Sequence, residues 1–273
     1  MTAQVDESGT PVRGLPLVTV TRYVTPLREG GSLPGVVEAD DLGTYVCKFR
    51  GAGQGPRVLV AEVIVAGLAR LLDIPTPDQV VLDVDPEIAR YEADEEVQDL
   101  LNASAGLNLG IDFLPGSFGY DATTTPDADL AGRVLWLDAF SANVDRSWRN
   151  PNLLVWRGTL QAIDHGASLY FHHSWSGGPG DPSRFAGQAY DASEHILRRY
   201  AEQARAQDAD LAARLSDDAL AAVLDDVCDD WLEPVPGAET PDALRERYVA
   251  FLAARRDGGR PWLPEAVTAE ADA

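Results

Sequence analysis

The side chains best suited to chemistry lie in one segment near the middle of the chain. Asn143-Val144-Asp145-Arg146 is followed by Asn150-Pro151-Asn152 and, after two short apolar runs, by Ile163-Asp164-His165-Gly166. Carboxylate and amide oxygens of this kind suit Mg²⁺, a hard ion that takes few protein oxygens and completes its shell with water and phosphate oxygens. A second carboxylate beside such a site, here Asp145, can accept a proton from an incoming hydroxyl or orient it.

A predicted β-hairpin brings these side chains together. The two apolar runs flank the dipeptide Arg157-Gly158, a tight turn in which the glycine takes the positive φ that such turns require. Antiparallel pairing across that turn places Pro151 opposite Asp164. The open end of the hairpin therefore gathers the side chains of Asn150, Asn152 and Asp164, with Asp145 in the loop just before it.

Lys48 is the only lysine among the 22 basic residues of the chain. It lies in a predicted strand, residues 44–49, on the face opposite to Cys47, where an ammonium is costly unless an anion is nearby. The helix predicted over 57–73 is apolar nearly all round, and Glu62 is its one charge between the arginines near its two ends. A buried carboxylate needs a cation, so the sequence predicts an ion pair between Glu62 and Lys48. A purely structural ion pair is the alternative.

The composition excludes several classes of protein. With 44 acidic and 22 basic side chains, the formal net charge is −22, which argues against direct nucleic-acid binding by broad phosphate neutralisation. No apolar run approaches the roughly 18 to 20 residues needed to span a bilayer, and the first residues contain no apolar secretion signal, so we expect a cytoplasmic protein without a membrane span. The 2 cysteines cannot form a disulfide framework.

The remaining pattern predicts a β-rich first part and a helical last part. Strands are predicted at 18–23, 36–39, 44–49, 80–84 and 109–114. A helix is predicted over 130–143, and later helices begin at Ser216, running towards Trp231, and at Thr240-Pro241. We expect a flexible tail over residues 1–15, a β-rich domain over 16–115 and a helical domain over 116–273. The tryptophans are expected to pack in the core or at its edge.

The order of these features is typical of phosphoryl transfer: a glycine-rich loop, the single lysine, a helix glutamate and then the Asp and Asn side chains. Asp145 and Asn150 have the D-x-x-x-x-N spacing of kinase catalytic loops. The segments 44–51, 143–154 and 163–166, which read TYVCKFRG, NVDR followed by NPNLL, and IDHG, resemble the HipA-like kinases, bacterial relatives of the protein kinase and phosphatidylinositol kinase folds. The resemblance covers roughly residues 16–175.

The resemblance implies a two-lobed, protein-kinase-like α+β fold, with a β-rich N-terminal nucleotide lobe that has one main helix and a mostly helical C-terminal catalytic lobe. It also implies that ATP and Mg²⁺ bind in the cleft. Lys48, held by Glu62, would contact the phosphates, Asp145 would be the catalytic carboxylate supported by Asn150, and Asn150 and Asp164 would hold the metal. Adenine would lie on the hinge Asp112-Phe113-Leu114, and the phosphates would lie under a loop that includes Gly30, Gly31 and Ser32.

Two departures from the family pattern leave alternatives open. Ser147 stands where family members often have histidine, and the loop from Gly30 to Gly35 is not a G-x-G-x-x-G sequence. A nucleotide-binding pseudokinase or regulator, or a nucleotidyl transferase on the same fold, is therefore the alternative to a kinase. Asn152 competes with Asn150 as metal ligand, and turn-capping is a structural alternative for Asp145, Asn150 and Asn152. The hydroxyl acceptor, whether a protein Ser or Thr or a small molecule, is not identified by the sequence.

Overall fold

The computed structural model of the protein describes residues 14–27, 33–53, 55–121 and 123–265. The strands are β1 (Leu17–Pro26), β2 (Gly35–Ala39), β3 (Thr44–Lys48), β4 (Gln79–Val84), β5 (Gly106–Asp112), β6 (Phe118–Gly119), β7 (Leu153–Trp156) and β8 (Thr159–Ala162). The helices are α1 (Pro56–Leu71), α2 (Glu95–Ala103), α3 (Ala128–Ser141), α4 (Pro182–Ala186), α5 (Ala201–Arg214), α6 (Asp217–Asp225) and α7 (Pro241–Asp257). Gly30, Gly31 and Ser32 lie outside the described residues, as do residues 1–13 of the expected tail. No helix in the described ranges combines the length and the apolar character needed to cross a bilayer.

The first five strands form a closed barrel in the order β1-β2-β3-β5-β4, and β1 and β4 complete the ring as parallel neighbours. Strands β2 and β3, which match the strands predicted at 36–39 and 44–49, pair as an antiparallel hairpin. On β3, Tyr45 and Cys47 are buried with Val37 and Leu82 inside the barrel, whereas Lys48 lies on the opposite face. The predicted alternation is confirmed, and it turns Lys48 out of the barrel towards α1.

Helix α1 has almost no solvent-facing side. Every residue from Leu59 to Ala69 is buried, including Glu62. The helix packs against the barrel on one side and against α3 and α6 on the other, which explains why its sequence is apolar nearly all round. It ends at Leu71, shortly before Pro75, which cannot continue a helix. Glu62 is therefore held between the two halves of the molecule.

The helical part is built around α3. Trp136 stacks on Phe140 with ring centroids 5.1 Å apart, and Trp262 packs edge-on against both rings. The fully buried Arg255 of α7 donates to the carbonyls of Ala139 and Phe140, and also to carbonyls at the end of α4. Because these carbonyls belong to the last turn of α3, Arg255 fixes the point from which the segment 142–152 departs.

Strands β7 and β8 form the predicted hairpin, with Trp156 opposite Thr159, and β6 pairs with β7 as a third strand. Both turn residues have positive φ, 50° and 80°, as a two-residue hairpin turn requires. The pairing continues past the strands, because the N–H of Ile163 donates to the carbonyl of Asn152 at 3.1 Å. The predicted register is confirmed, and it fixes which side chains meet at the open end.

Two expectations about the second half are wrong. The helix capped by Ser216 ends at Asp225 instead of continuing towards Trp231; acidic residues at its C-terminal end oppose the helix dipole. Trp148 departs from the packing expected for the tryptophans: it is 58% exposed, and its indole N–H donates to Glu194 Oε2 at the surface, at 2.6 Å.

The buried His172 is expected to make the folded protein sensitive to acid. Its ring is fully buried, with Nδ1 2.9 Å from the hydroxyl of Tyr248 and with Nε2 lacking a partner among the described residues. Burial lowers the pKa of His172 well below its usual value, and His173 and Arg57 lower it further. Below a pH of about 6.5, His172 binds a proton in the unfolded chain but not in the folded chain. The free energy of unfolding therefore falls as the pH falls.

We expect His172→Asn to reduce this sensitivity, because asparagine keeps a polar atom near the Tyr248 hydroxyl and does not titrate. Below about pH 6, the free energy of unfolding should fall more steeply in the wild type than in the variant, by about 1.4 kcal/mol per pH unit for one proton. Urea denaturation across this pH range measures both slopes. The exposed neighbour gives the control, since His173→Asn should change the slope less. Parallel slopes for wild type and His172→Asn would contradict the assignment.

Candidate active site

The ammonium of Lys48 joins the two halves of the molecule. It donates to Glu62 Oε1 on α1 and, at 2.5 Å, to Asp164 Oδ1 just after β8. The side chain of Glu62 is 0% exposed, that of Lys48 is 12% exposed and that of Asp164 is 49% exposed. The predicted contact between Lys48 and Glu62 is present, and the cluster is closed on the α1 side and open to solvent at Asp164.

Gly166 allows the segment after Asp164 to approach α1. Its N–H donates to Glu62 Oε1 at 2.7 Å. A Cβ at this position would lie 2.5 Å from Val58 Cγ1 and 3.0 Å from Glu62 Oε1, so any larger residue would push the two segments apart. The glycine of the Asp-His-Gly sequence is thus required by close packing.

Within this cluster, Lys48 and Asp164 hold each other in the ionised form, whereas burial raises the pKa of Glu62 despite its contact with Lys48. Burial acts to lower the pKa of Lys48, but Glu62 and Asp164 outweigh it and raise that pKa above its usual value. Burial acts to raise the pKa of Asp164, but Lys48 outweighs it, so that pKa lies below its usual value. At neutral pH the crevice therefore presents a fixed ammonium beside a half-exposed carboxylate.

Asp145 is anchored through one of its two carboxylate oxygens. The side-chain amides of Asn150 and Asn152 both donate to Oδ2, at 2.8 and 3.1 Å. The backbone N–H of Asp145 donates to Asn143 Oδ1 at 3.1 Å, and its side chain is half-buried. Oδ1 accepts no hydrogen bond from the described residues. The structure thus brings Asp145, Asn150 and Asn152 together.

A buried carboxylate that the sequence analysis missed organises this loop. Asp138 on α3 is 1% exposed and accepts from Asn143 Nδ2 at 2.9 Å and Arg146 Nε at 2.5 Å, while His195 Nε2 lies 3.0 Å away. Burial acts to raise the pKa of Asp138, but Arg146 and His195 hold it well below its usual value. Asp138 is the only charge in the apolar stretch 134–141. The signal that identified Glu62, a single carboxylate in an apolar helix, would have identified it too.

Arg146 connects the two groups of candidate site residues. Its buried guanidinium donates to the carbonyl of Asn152 and, at 3.3 Å, to that of Ile163. Asn152 contacts Asp145, and Ile163 immediately precedes Asp164. One guanidinium therefore fixes the segments that carry both carboxylates.

The predicted hinge follows β5, the strand that pairs with the strand of Lys48. Phe113 is 40% exposed, and its N–H donates to the carbonyl of Thr44 at 3.0 Å. Leu114 is 6% exposed and carries the next amide along the chain. The connector beyond it is fixed by a hydrogen bond of 3.1 Å from Trp156 Nε1 to the carbonyl of Pro115. Of the predicted phosphate loop, Gly30, Gly31 and Ser32 lie outside the described residues.

The oxygen atoms at the open end of the hairpin fit Mg²⁺. Asp164 keeps a half-exposed carboxylate, and the amide nitrogen of Asn150 is committed to Asp145, which leaves its amide oxygen to face an ion. The amide nitrogen of Asn152 makes the same contact with Asp145, so Asn152 offers its amide oxygen in the same way. In the described ranges no three His, Cys, Asp or Glu side chains converge into a cage for a metal. This donor set suits a hard ion whose shell is completed by phosphate and water oxygens.

The HipA-like kinase family matches residues 20–240, a range that contains all of the barrel except the first three residues of β1, and every described residue of both clusters. Among solved structures, the chain is similar to the Helicobacter pylori proinflammatory kinase CtkA, with a TM-score of 0.50 and 10% identity over 88% of this chain and 98% of that one. Two structures of the Golgi casein kinase, the first with Mn/ADP bound, align with TM-scores of 0.42 and 0.40 and identities of 12% and 13%. They cover 92% and 90% of this chain, and 75% and 72% of theirs. A comparison with curated proteins gave no significant match.

The likeness to CtkA is a likeness of fold, and it confirms the predicted protein-kinase-like arrangement of a β-rich first part and a helical second part. The family match rests on sequence and extends over most of the chain. It also agrees with the resemblance carried by the lysine strand, the Asp145 loop and the Asp-His-Gly segment. The chain therefore belongs to the HipA-like kinase family.

Proposed function

We propose that this chain is an ATP- and Mg²⁺-dependent kinase that transfers the γ-phosphate of ATP to a hydroxyl group. One observation carries the proposal: the single lysine contacts the buried Glu62 and the half-exposed Asp164 at the same time. A kinase needs a cation for the phosphates and a carboxylate for the metal at one point of the cleft, and Lys48 and Asp164 would provide them. The family and the fold support a kinase-like phosphotransferase.

On the nucleotide side, each residue has a defined task. Lys48 would neutralise charge on the phosphates, and Glu62 would hold its ammonium in place. Asp164 and Asn150 would hold Mg²⁺, which supplies charge neutralisation when bound. Adenine would lie against the hinge, with the amide of Leu114 as a hydrogen-bond donor, and the glycine-rich loop including Gly30, Gly31 and Ser32 would lie over the phosphates.

On the acceptor side, Asp145 would receive the hydroxyl. The acceptor oxygen attacks the γ-phosphorus, and the new O–P bond forms as the bond to the β–γ bridging oxygen breaks. ADP leaves with the electron pair of that bond, and the hydroxyl proton passes to Oδ1 of Asp145 and then to solvent. Asn150 and Asn152 keep Oδ2 in place during this step.

The support of the Asp145 loop favours an active kinase over a pseudokinase. Ser147 replaces the histidine frequent in the family, yet its Oγ accepts from the N–H of Asn150 at 3.2 Å. Arg146 and the buried Asp138 hold the loop from the other side. The loop is therefore held in place without a histidine at position 147.

Nucleotidyl transfer, the other alternative, is recognised by the intact mass of the modified acceptor, which gains a whole nucleotide instead of a phosphate.

A thermal-shift titration tests nucleotide binding directly. A ligand that binds only the folded state stabilises it by about 2.7 kcal/mol at a hundred times its Kd. For a chain of this size that stabilisation corresponds to a rise in Tm of roughly 5 to 10 °C. We expect a small rise with ATP alone and the full rise with ATP and Mg²⁺ together, because Asp164 and the phosphates share the ion.

The matched control is Asp164→Asn, which should retain the small rise and lose the additional effect of Mg²⁺. A Tm that does not respond to ATP and Mg²⁺, singly or together, would overturn the proposed function.

A further inference from the structure

A cavity of about 350 Å³ opens beside the Asp145 loop. Val144 and Arg146, the two neighbours of Asp145, line one wall, and residues 188–191 with 194–195 line the opposite wall. None of Lys48, Glu62, Asp164 or the hinge residues lines it. The cavity is therefore separate from the proposed nucleotide site and adjoins the residue proposed to receive the hydroxyl.

The opposite wall is fixed to the Asp145 loop by polar contacts beneath the surface. The hydroxyl of Tyr190 donates to the carbonyl of Asn143 at 2.8 Å. His195 is 4% exposed and lies 3.0 Å from the buried Asp138. Both walls are thus held by groups that also hold the Asp145 loop. Such a cavity is formed before any ligand arrives, which lowers the cost of binding.

The exposed charges of the cavity are negative. Asp191 and Glu194 line it, whereas the two basic side chains of its lining, Arg146 and His195, are 2% and 4% exposed and both lie against the buried Asp138. Glu194 also contacts Arg149 at 3.2 Å, but both side chains of that pair are about two-thirds exposed, 67% and 63%. An exposed pair of this kind contributes little and can exchange for another cation. The cavity complements a positive group.

Apolar side chains surround the cavity as well. Val144 is 66% exposed and Tyr170 is 43% exposed, and both line it. The exposed ring of Trp148 is attached to its rim through Glu194 and already carries the guanidinium of Arg149 at 4.0 Å from the ring centroid. These side chains suit the aliphatic stem and the charged head of an arginine or lysine. They also offer apolar surface to the peptide residues on either side of it.

We propose that this cavity is an acceptor subsite that takes a cationic side chain, arginine or lysine, of a polypeptide whose nearby Ser or Thr reaches Asp145. The inference rests on the proposed function and adds the substrate class to it. A volume of about 350 Å³ is near the lower end of the range for ligand pockets, which suits one side chain better than a multi-ring compound. The apolar rim gives further contact area to the flanking peptide.

Fluorescence anisotropy without nucleotide tests the subsite. The probes are serine-centred peptide libraries in which one position is fixed as arginine, lysine, glutamine or glutamate. We expect the preferred position to favour arginine or lysine over glutamine by about tenfold at low salt, and less at high salt, because the interaction is electrostatic. Asp191→Asn with Glu194→Gln should reduce this preference below about threefold, since both cavity carboxylates are then neutral.

The control removes the same charge elsewhere. Glu202→Gln with Glu246→Gln, on the exposed faces of α5 and α7, should keep the full preference. Phosphate transfer to the same libraries should show the same order of preference. Binding without a cationic preference, or a preference that survives in the Asp191 and Glu194 variant, would overturn the inference. Phosphorylation of a cationic sugar amine with no phosphorylation of any peptide would also overturn it. Because the peptides bind without nucleotide, this result can be read independently of the ATP titration.

Discussion

Replacing Asp145 by asparagine is expected to lower phosphate transfer by about 10²- to 10⁴-fold while ATP binding stays nearly unchanged. Among the described residues, the carboxylate is anchored only through Oδ2, by the amides of Asn150 and Asn152, and we propose that Oδ1 receives the acceptor. Asparagine has nearly the same shape but cannot take the hydroxyl proton. The loss should therefore fall on the transfer step.

Two measurements separate the transfer step from binding. Labelled phosphate transferred from γ-labelled ATP reports the first, and calorimetric titration with ATP and Mg²⁺ reports the second. Asp99→Asn, on the solvent-exposed face of α2, removes the same charge and should leave both unchanged. Asp164→Asn should reduce both transfer and the Mg²⁺-dependent affinity for ATP. Undiminished transfer by Asp145→Asn would contradict the proposed role, and a loss of ATP affinity equal to that of Asp164→Asn would place Asp145 on the nucleotide side instead.

The parts of the site that could be predicted from sequence are those set by local geometry. The Arg157-Gly158 turn determines the register of β7 and β8, and that register brings Asn152 next to Ile163 and hence near Asp164. The alternation along β3 likewise decides which face carries Lys48. In both cases the relevant residues are close in sequence, and the strand period of two leaves one arrangement.

The parts that could not be predicted depend on contacts between distant segments. The parallel pairing of β1 with β4 closes the barrel, and nothing in either strand specifies its partner. Arg255 at the end of α7 satisfies carbonyls at the end of α3, which periodicity within either helix does not reveal. The same holds for the contact of Asp138 with His195, whose two residues lie on either side of the Asp145 loop in sequence.

The pairing of Lys48 with Glu62 is an intermediate case. It joins two segments, but each segment contains a single charge that is costly to bury alone, and each charge satisfies the other. A sequence that keeps one lysine and places one glutamate in a buried helix leaves few other pairings. The contact of Lys48 with Asp164 is less strongly indicated by the sequence, because that carboxylate is half exposed and needs no buried partner.

Lys48→Met is expected to abolish phosphate transfer and to lower the free energy of unfolding by about 3 to 5 kcal/mol. That is the usual cost of removing one partner of a buried ion pair, which leaves the other charge buried and unpaired. Glu62 is fully buried, and without the ammonium its remaining hydrogen-bond donor among the described residues is the N–H of Gly166. Methionine fills the volume of the lysine stem, so the loss arises from the uncompensated carboxylate. Urea denaturation measures the stability, and γ-labelled ATP measures the transfer.

A second substitution separates stability from activity. Glu62→Gln in the Lys48→Met background removes the buried charge and should restore most of the lost stability, yet transfer should stay absent because no cation reaches the phosphates. The exposed pair of Arg22 with Glu38, whose side chains are 63% and 43% exposed, provides the matched control. Arg22→Met should cost less than about 1 kcal/mol, because exposed ion pairs contribute little. If Lys48→Met were as stable as the wild type, the buried carboxylate of Glu62 would not need Lys48 for its stabilisation. If the double variant still transferred phosphate, another cation would have to act at the phosphates, and the role of Lys48 would be only structural.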